Sequence, residues 1–254
     1  MRALKLSMLV LGMLCAVSAQ ARDWATIKKS GTIELVTEGS YPPFSIVENG
    51  KLTGYEVEVY DAIAKKLGVK THWSTLGFDA LIAAVHQDRF DMAVSSHGIT
   101  PEREKAVDFA SPHYCSGGQI VARGNGPQKA ADLKGKVIGV QLATTYADAA
   151  KKVAGAKEVR TFPRDTDVLQ ALMGNRIDAW VTDRFVAKSA IEKNPSFGLK
   201  AGDMLFIERI AGVMQKGNTT LREQINKAIA EAKADGTLKA ISQKYFKEDI
   251  TCPN

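Results

Sequence analysis

Residues 54–95, GYEVEVYDAIAKKLGVKTHWSTLGFDALIAAVHQDRFDMAVS, decide the class of fold. Apolar residues recur at helical spacing over 54–67 and again over 78–87. Residues 72–76 and 90–95 have the composition of short strands. Strands that alternate with helices of this length are typical of βαβ units, in which the strands lie parallel. The segment therefore predicts an α/β fold.

The same alternation continues on both sides of this segment. Further strands and helices are predicted at 32–36, 136–141, 146–153, 159–162, 168–173, 179–182, 207–214 and 221–232. A turn cluster at 124–127 separates two α/β blocks, and the last strand and helix form a C-terminal return. This order predicts two lobes. A small ligand fits the cleft between two lobes, at the carboxyl ends of the strands.

The composition limits the classes of function. The 254 residues include 34 Lys and Arg against 28 Asp and Glu, a net charge of +6, and 45% are hydrophobic. These values are close to the globular average and exclude a disordered, fibrous or disulfide-dense protein. Basic and acidic residues are interspersed, so we expect no nucleic-acid partner.

Residues 1–21 have the pattern of a secretory signal peptide. Two basic residues precede an apolar run over 6–17 that is too short to span a bilayer, and Ala19 and Ala21 form a small-residue cleavage motif. Cleavage after Ala21 leaves 32 basic against 28 acidic residues, a net charge of +4. We expect a soluble exported protein; a membrane anchor is the less favoured alternative.

Only Cys115 and Cys252 remain after this cleavage. In an oxidising compartment two cysteines can pair. The alternative is one buried thiol near the middle of the chain and one free thiol in its tail. A sequence does not show whether two Cα atoms come close enough for a disulfide, so both alternatives stay open.

Catalytic and metal-binding signatures are absent from the sequence. There is no G-x-S-x-G elbow, no phosphate-binding loop and no H-E-x-x-H helix, and GKVIG at 135–139 lacks dinucleotide spacing. The four histidines share no helical spacing, and no C-x-x-C pair is present. We therefore expect no catalytic residue, no cofactor and no metal.

Polar residues follow three of the predicted strands. Thr100 is placed to cap a short helix that holds Arg103 near the end of strand 90–95, where a guanidinium can bind a carboxylate through two hydrogen bonds. The alternative is a surface arginine paired with Glu104 or Asp108, which is the commoner environment of an arginine.

The other two strand ends carry Thr144, Thr145 and Asp183. The two threonines open a helix, whose free backbone N–H groups attract anions, although simple helix capping is the alternative. Asp183 follows strand 179–182 and can receive an ammonium group. A salt bridge to Arg184 or a turn is the alternative for this carboxylate.

An ordered set of short motifs resembles the periplasmic solute-binding proteins of polar amino-acid ABC importers, family 3. The motifs are EGSYPPF (38–44), GKLTGYEVE (50–58), GFDALI (77–82), ITPER (99–103), DLKGK (132–136), DGTL (235–238) and KYF (244–246). Each is weak alone, but together they cover the mature chain in order. The first two look most like the cystine-binding branch.

The resemblance implies a two-lobed periplasmic binding protein of type II with two hinge crossovers. Lobe 1 would comprise 22–116 and 207–254, and lobe 2 would comprise 117–206. Such a protein is periplasmic and monomeric, captures a polar amino acid by hinge closure and presents it to an inner-membrane ABC permease. It is not an enzyme.

The resemblance also implies roles for individual residues. Arg103 would bind the ligand α-carboxylate together with Thr144 and Thr145, and Asp183 would take the α-ammonium. The rings of Tyr41 and Phe78 would flank the ligand side chain.

Ser95, Ser96 and Gly98 complete the expected site at the end of strand 90–95. His97 and Gly98 depart from the family pattern, in which an apolar residue is often followed by Ser or Thr. Gly98 lacks the hydroxyl that such a residue offers to the ammonium, so the carbonyl or hydroxyl of Ser96 would substitute.

Glu38 decides the expected class of ligand side chain. Arg103 and Asp183 already balance a zwitterion, and an unpaired buried carboxylate is costly. Glu38 in the cleft therefore favours a cationic or strongly donating distal group. Cystine, with its second ammonium, is the first expectation, and a basic amino acid such as Arg, Lys or His is the second. The alternative for Glu38 is a solvated surface position.

Two rival functions share the scaffold. Cyclohexadienyl dehydratases resemble these binding proteins but place a catalytic Glu three residues after the Asp of the late lobe-2 strand; here that residue is Val186, which cannot act as a general acid. A ligand-sensing protein for a chemoreceptor is the other rival, and the sequence does not separate it from a transport protein.

Overall fold

The computed structural model describes residues 21–253 of the chain. The predicted signal peptide lies outside the described residues except for Ala21. Near the start of the described chain, Arg22 Nε donates to Asp91 Oδ1 at 2.9 Å. Asp91 Oδ2 also accepts the backbone N–H of Glu34 at 2.7 Å. The chain therefore joins the fold directly after the predicted cleavage point.

Helices and strands alternate through most of the described chain. In order they are α1 Trp24–Ser30, β1 Thr32–Thr37, β2 Ser40–Tyr41, β3 Ser45–Glu48, β4 Lys51–Thr53, α2 Tyr55–Leu67, β5 Lys70–Thr75, α3 Phe78–His86, β6 Met92–Ala93, α4 Pro101–Ala106, β7 Val107–Phe109, β8 Tyr114–Arg123, β9 Val137–Gln141, α5 Thr145–Lys151, β10 Glu158–Phe162, α6 Asp165–Met173, β11 Ala179–Asp183, α7 Arg184–Lys193, β12 Leu199–Ile210, β13 Val213–Gln215, α8 Thr219–Ala234 and α9 Thr237–Phe246.

The first sheet has the strand order β5-β1-β6-β13-β7. Strand β1 runs parallel to β5 and to β6, whereas β13 runs antiparallel to β6 and β7. Val213 of β13 lies opposite both Ala93 and Phe109. The C-terminal part of the chain thus returns to the first sheet. A separate antiparallel sheet, β2-β3-β4, carries the segment that begins at Ser40.

The second sheet has the strand order β10-β9-β11-β8-β12. Strand β9 is parallel to β10 and β11, and the long strands β8 and β12 pair antiparallel. Tyr114 of β8 lies opposite Ile210 of β12, at the end that faces the first sheet. The chain therefore passes into the second sheet along β8 and back along β12, which confirms the two-lobed α/β fold with two crossovers. The lobe boundaries expected at 116 and 206 fall inside this strand pair and stay a prediction.

Amphipathic helices cover the first sheet because their apolar residues recur every three to four positions. Ile33 and Leu35 of β1 are buried on either side of the partly exposed Glu34, and they share one core cluster with α2 and α8. The fully or nearly fully buried members on those helices are Val59, Tyr60, Ile63, Leu221, Ile225, Ala228 and Ile229. No helix within residues 21–253 combines the length and the apolar character needed to span a membrane.

Cys115 and Cys252 form a disulfide, with their Cα atoms 4.8 Å apart across a sequence separation of 137. The sequence left this pairing open, and the structure shows that it is formed. The backbone N–H of Cys115 also donates to the carbonyl oxygen of Ile250 at 3.0 Å. The C-terminal tail is therefore bound to the start of β8, which brings together two segments that are far apart in the sequence.

The run predicted as one strand over 207–214 is instead the end of β12 and the start of β13. The break falls at Gly212, whose N–H donates to the Tyr60 hydroxyl at 3.0 Å. A Cβ at this position would lie 2.5 Å from the same hydroxyl. The chain leaves one sheet and enters the other here, which interrupts the ladder.

Candidate functional site

A cleft contains most of the predicted site residues. Eight of the ten predicted residues line it: Glu38, Tyr41, Phe78, Ser95, Ser96, Arg103, Thr144 and Thr145. Gly98 and Asp183 do not. Gln141 and Tyr146, which the sequence did not single out, line it as well. Both sheets contribute, since β1 and α3 lead into one wall and β9 and α5 form the other.

Arg103 is held on both sides of the cleft. Thr100 caps α4 as predicted, because its hydroxyl accepts the backbone N–H of Arg103 at 3.2 Å. The guanidinium then donates to the carbonyl oxygens of Gly98 and Ala143, each at 2.9 Å. It also lies 5.8 Å from the centre of the Phe78 ring. The surface alternative is wrong.

The acidic residues proposed as surface partners of Arg103 have other surroundings. Asp108 forms ion pairs with Lys216 at 3.0 Å and with Arg222 at 3.5 Å. Burial lowers the pKa of the Arg103 guanidinium, and the nearby Glu208 opposes this shift. The guanidinium remains charged at neutral pH, since arginine starts from a very high pKa. It is a fixed cation between the lobes.

The two threonines at the start of α5 have different partners. Thr144 is the N-cap, and its hydroxyl accepts the N–H of Ala147 at 3.1 Å and donates to the carbonyl of Gln141 at 2.7 Å. The hydroxyl of Thr145 donates instead to Glu208 Oε2 at 2.8 Å. The capping prediction is confirmed for Thr144, whereas Thr145 faces a carboxylate that the sequence analysis missed.

Asp183 is completely buried at the end of β11 and caps α7. Its Oδ1 accepts the N–H groups of Phe185 at 2.7 Å and Val186 at 3.4 Å, and the Tyr146 hydroxyl donates to Oδ2 at 3.5 Å. Burial raises the pKa of Asp183 to about 7, and the charge of Glu208 adds to this rise. A cation beside Asp183 would favour its ionised form.

Glu38 is buried, so the alternative of a solvated surface position is wrong. Its Oε1 accepts the Ser40 hydroxyl at 2.9 Å and the Gln141 side-chain amide at 2.8 Å. Its backbone N–H donates to the Ser95 hydroxyl at 3.1 Å. Burial raises the pKa of Glu38. The Glu38–Gln141 hydrogen bond is a second link between the two walls.

Ser96 has a left-handed backbone, with φ of 52°. Its N–H and its hydroxyl donate to Glu56 Oε2 at 2.8 and 2.9 Å, and Glu56 Oε1 lies 3.0 Å from His113 Nε2. The hydroxyl proton of Ser96 is therefore committed to Glu56. The turn at Ser96 also explains why the strand predicted over 90–95 pairs only at Met92–Ala93.

Two aromatic rings lie in the cleft as expected. Tyr41 is buried, and its hydroxyl lies 3.5 Å from that of Thr182. Phe78 begins α3 and stacks on His97, with ring centres 4.9 Å apart. Burial lowers the pKa of His97, which favours a neutral ring. The rings offer flat apolar surfaces to a ligand side chain.

Gly98 lies against Glu208. An ideal Cβ at Gly98 would be 2.1 Å from Glu208 Oε2, so no larger residue fits while this carboxylate is in place. Glu208 is buried on β12, and burial raises the pKa of its carboxyl. Nothing in the predicted run 207–214 pointed to this residue. Gln141, by contrast, ends a predicted strand, which is the signal that revealed the other strand-end residues.

Buried acids outnumber buried cations around the cleft. Glu38, Asp183 and Glu208 are each at most 8% exposed. The charge of Arg103 favours the ionised form of Glu208, and the charge of Arg164 favours that of Glu38. Such an arrangement favours a ligand that brings a carboxylate for Arg103 and more than one donor or positive group for the acids. Within residues 21–253, no group of His, Cys, Asp and Glu is arranged to hold a metal ion.

The match to known proteins covers nearly the whole described chain. Residues 33–248 match the bacterial extracellular solute-binding proteins, family 3. The chain belongs to this family. Among curated relatives, the L-cystine-binding protein TcyJ of Escherichia coli K12 is 38% identical over 229 residues, which are 89% of this chain and 86% of that protein.

Solved structures of similar fold include two ancestral binding proteins. One is an ancestral arginine-binding protein bound to arginine, with a TM-score of 0.81, 39% identity and coverage of 85% of this chain and 98% of that one. The other is an ancestral amino-acid-binding protein described as a precursor of cyclohexadienyl dehydratase. It has a TM-score of 0.80, 32% identity and coverage of 87% and 97%. The family 3 members that this chain resembles are thus amino-acid-binding proteins.

Proposed function

We propose that this family 3 protein is the amino-acid-binding component of an ABC importer, exported to the periplasm as a monomer after cleavage of its signal peptide near Ala21. The observation that carries the proposal is the fixed guanidinium of Arg103, which lines the cleft, together with the buried carboxylate of Asp183, which accepts the hydroxyl of the cleft residue Tyr146. These two charges complement the carboxylate and the ammonium of an α-amino acid.

Cystine is the first proposed ligand, and a basic amino acid is the second. Glu38 is buried beside Gln141 in the same cleft and needs a donor or a cation. The second ammonium of cystine or the guanidinium of arginine would meet this need. The names of the relatives, one a cystine-binding protein and one an arginine-binding protein, support the same two ligands.

The proposed mechanism is capture by hinge closure. The ligand first meets Arg103, Tyr41 and Phe78 on lobe 1. Lobe 2 then closes by bending at β8 and β12, and it adds Thr145 and Asp183 to the ligand. In the closed form described here, the Arg103–Ala143 and Glu38–Gln141 hydrogen bonds join the two walls. The closed lobes would form the surface that an inner-membrane permease recognises.

We further propose that the protein binds its ligand without converting it. Val186, at the position of the dehydratase general acid, is buried and donates only its backbone N–H to Asp183. A valine side chain cannot transfer a proton. Incubation with prephenate or arogenate should therefore give no aromatic product.

A thermal-shift screen against the standard amino acids and L-cystine tests the binding function. A ligand that binds only the folded state raises its stability, by about 2.7 kcal/mol at a concentration of a hundred times Kd. We expect cystine or a basic amino acid to raise the melting temperature most. A panel in which no amino acid shifts the transition would overturn the proposal.

A further inference from the structure

Glu208 combines deep burial with an unused acceptor. It is 8% exposed, and its Oε2 accepts the Thr145 hydroxyl at 2.8 Å. The Tyr146 hydroxyl is near enough to favour the charged form of Glu208, yet Oε1 has no hydrogen-bond partner among the described residues. A buried carboxylate oxygen without a donor is destabilising unless a ligand supplies one.

The strand register places Glu208 and Asp183 on one face of the second sheet. Glu208 lies opposite Ser116, and Asp183 lies opposite Gly118. Residues directly opposite each other in an antiparallel pair share a face, and so do positions two apart on one strand. Gly118 has no side chain between the two acids, and the charge of Glu208 contributes to the raised pKa of Asp183. The two carboxylates therefore lie close enough for the charge of Glu208 to disfavour the ionised form of Asp183.

The loop of lobe 1 that contains Gly98 also lies against Glu208. Gly98 forms a β-bridge with Ile210, and the Ile99 N–H donates to the carbonyl of Arg209 at 2.9 Å. The Glu208 carboxylate thereby fills the space that a side chain at Gly98 would occupy. The Gly98 carbonyl oxygen also accepts Arg103. Glu208 thus lies beside the cation expected to bind the ligand carboxylate.

We propose that Glu208 is a ligand-binding residue that receives the α-ammonium of the bound amino acid jointly with Asp183. The unpaired Oε1 supplies the acceptor that Gly98, without a side chain, does not. This inference rests on the proposed amino-acid-binding function and assigns a residue of the second crossover to the ligand. A primary ammonium between two carboxylates relieves their mutual repulsion, so the site discriminates strongly against ligands without an α-amino group.

The test is calorimetric titration of the full mature protein with four probes. They are L-arginine, L-cystine and their deaminated analogues, δ-guanidinovalerate and dithiodipropionate. In Glu208→Gln the acceptor for Thr145 is kept and the charge is removed. We expect at least tenfold weaker binding of the amino acids and less than a twofold change for the deaminated analogues. Glu158→Gln, an exposed carboxylate of β10, is the matched control and should change neither.

Gly98→Ser supplies an independent readout. Its Cβ would collide with Glu208, so the single variant should bind weakly. In Gly98→Ser/Glu208→Ala the collision is gone and a hydroxyl replaces the carboxylate, so the double variant should bind L-arginine or L-cystine more tightly than either single variant. Circular dichroism melting confirms that each variant folds.

The outcomes separate the two claims. If the wild-type protein binds none of the amino acids of the thermal-shift screen, the proposed function fails and this inference fails with it; if it binds an amino acid other than the two probes, that amino acid and its deaminated analogue take their place. If the wild-type protein binds but Glu208→Gln loses affinity equally for the amino acids and the deaminated analogues, or loses none, Glu208 only anchors Thr145 and the inference alone is overturned. The inference is also contradicted if Gly98→Ser/Glu208→Ala loses as much binding free energy as the sum of the losses of Gly98→Ser and Glu208→Ala.

Discussion

The guanidinium of Arg103 donates to the carbonyl oxygen of Ala143 at 2.9 Å, which joins the loop before α5 to the end of the first sheet. A second amino group of the same fork donates to Gly98. The Gly98 bond lies on the lobe 1 side of the cleft, so it can hold the guanidinium before a ligand carboxylate arrives, and the Ala143 bond fixes its plane once the two walls are joined. Such preorganisation reduces the entropy lost on binding.

Arg103→Ala should weaken the binding of L-arginine and L-cystine by about 2–5 kcal/mol, because a buried charge pair loses one member. Arg103→Lys keeps the charge but not the two-pronged geometry, so it should recover only part of the affinity. Calorimetric titration measures both. Cystamine, which is cystine without carboxylates, is the matched probe: an equal loss for cystamine would show that Arg103 does not act on the carboxylate.

Glu38→Gln should change the selectivity of the site. The amide keeps the size of the side chain but removes the charge beside Gln141, so affinity for arginine and cystine should fall about tenfold, while that for neutral glutamine should not fall. Competition titrations with the three ligands measure this difference. Ser40→Ala, which removes only a donor to Glu38, is the control. A uniform loss for all three ligands would contradict a role in selectivity.

Local patterns in the sequence predicted the fold class and pointed to Arg103, Thr144, Thr145 and Asp183, whereas the other expected site residues came from the family resemblance. Thr100 and Thr144 were identified because a cap lies within three residues of the N–H that it accepts. Arg103 and Asp183 were found because each follows a strand end. These signals need no knowledge of the distant chain.

The missed residues depend on contacts between distant segments. Glu208 reaches the site because β12 lies beside the Gly98 loop, and Cys252 reaches Cys115 because the tail packs against β8. Helix α7 was missed because Asp183, which caps its start, was considered as a ligand group, a salt-bridge partner or a turn residue and not as a helix cap. Tertiary contacts of this kind leave no periodic pattern in a sequence.

Removal of the Cys115–Cys252 disulfide should destabilise the protein by about 2–4 kcal/mol. The bond ties the tail to β8, and its loss frees a long loop in the unfolded chain. Cys115→Ser/Cys252→Ser should therefore melt at a lower temperature than the wild type. Reducing agent should lower the wild-type melting temperature and leave the variant unchanged. Ligand affinity should stay the same, because neither cysteine lines the cleft. A stability equal to that of the wild type would contradict this account.

The stability of the ligand-free protein should fall as the pH rises from 5 to 8. Burial raises the pKa of both Asp183 and Asp165 to about 7, above that of an unfolded aspartate. Between these values the folded state binds more protons than the unfolded state, so stability decreases with rising pH. Thermal melts across this range measure the slope. Asp183→Asn retains the oxygen that caps α7 and should reduce the dependence of stability on pH. An unchanged slope would contradict the assignment of this pH dependence to Asp183.

Ligand binding should release protons from Asp183 near neutral pH. An ammonium beside this carboxylate favours its ionised form and lowers its pKa, so the bound state holds fewer protons than the free state. With a starting pKa of about 7, release should approach about half a proton per ligand at pH 7 and should diminish at pH 9, where Asp183 is already ionised. Calorimetry in buffers of different ionisation enthalpy measures this number.

The variants Asp183→Asn and Asp165→Asn show which of the two aspartates releases these protons. Asp165 is equally buried, but its oxygens accept Trp180 Nε1 and the Thr182 hydroxyl, each at 2.8 Å. Both aspartates therefore titrate in the same range, and only Asp183 is placed to receive the ammonium. Release should disappear in Asp183→Asn and persist in Asp165→Asn. If Asp165→Asn abolishes it instead, the ligand acts on α6, and the ammonium does not bind at the end of β11.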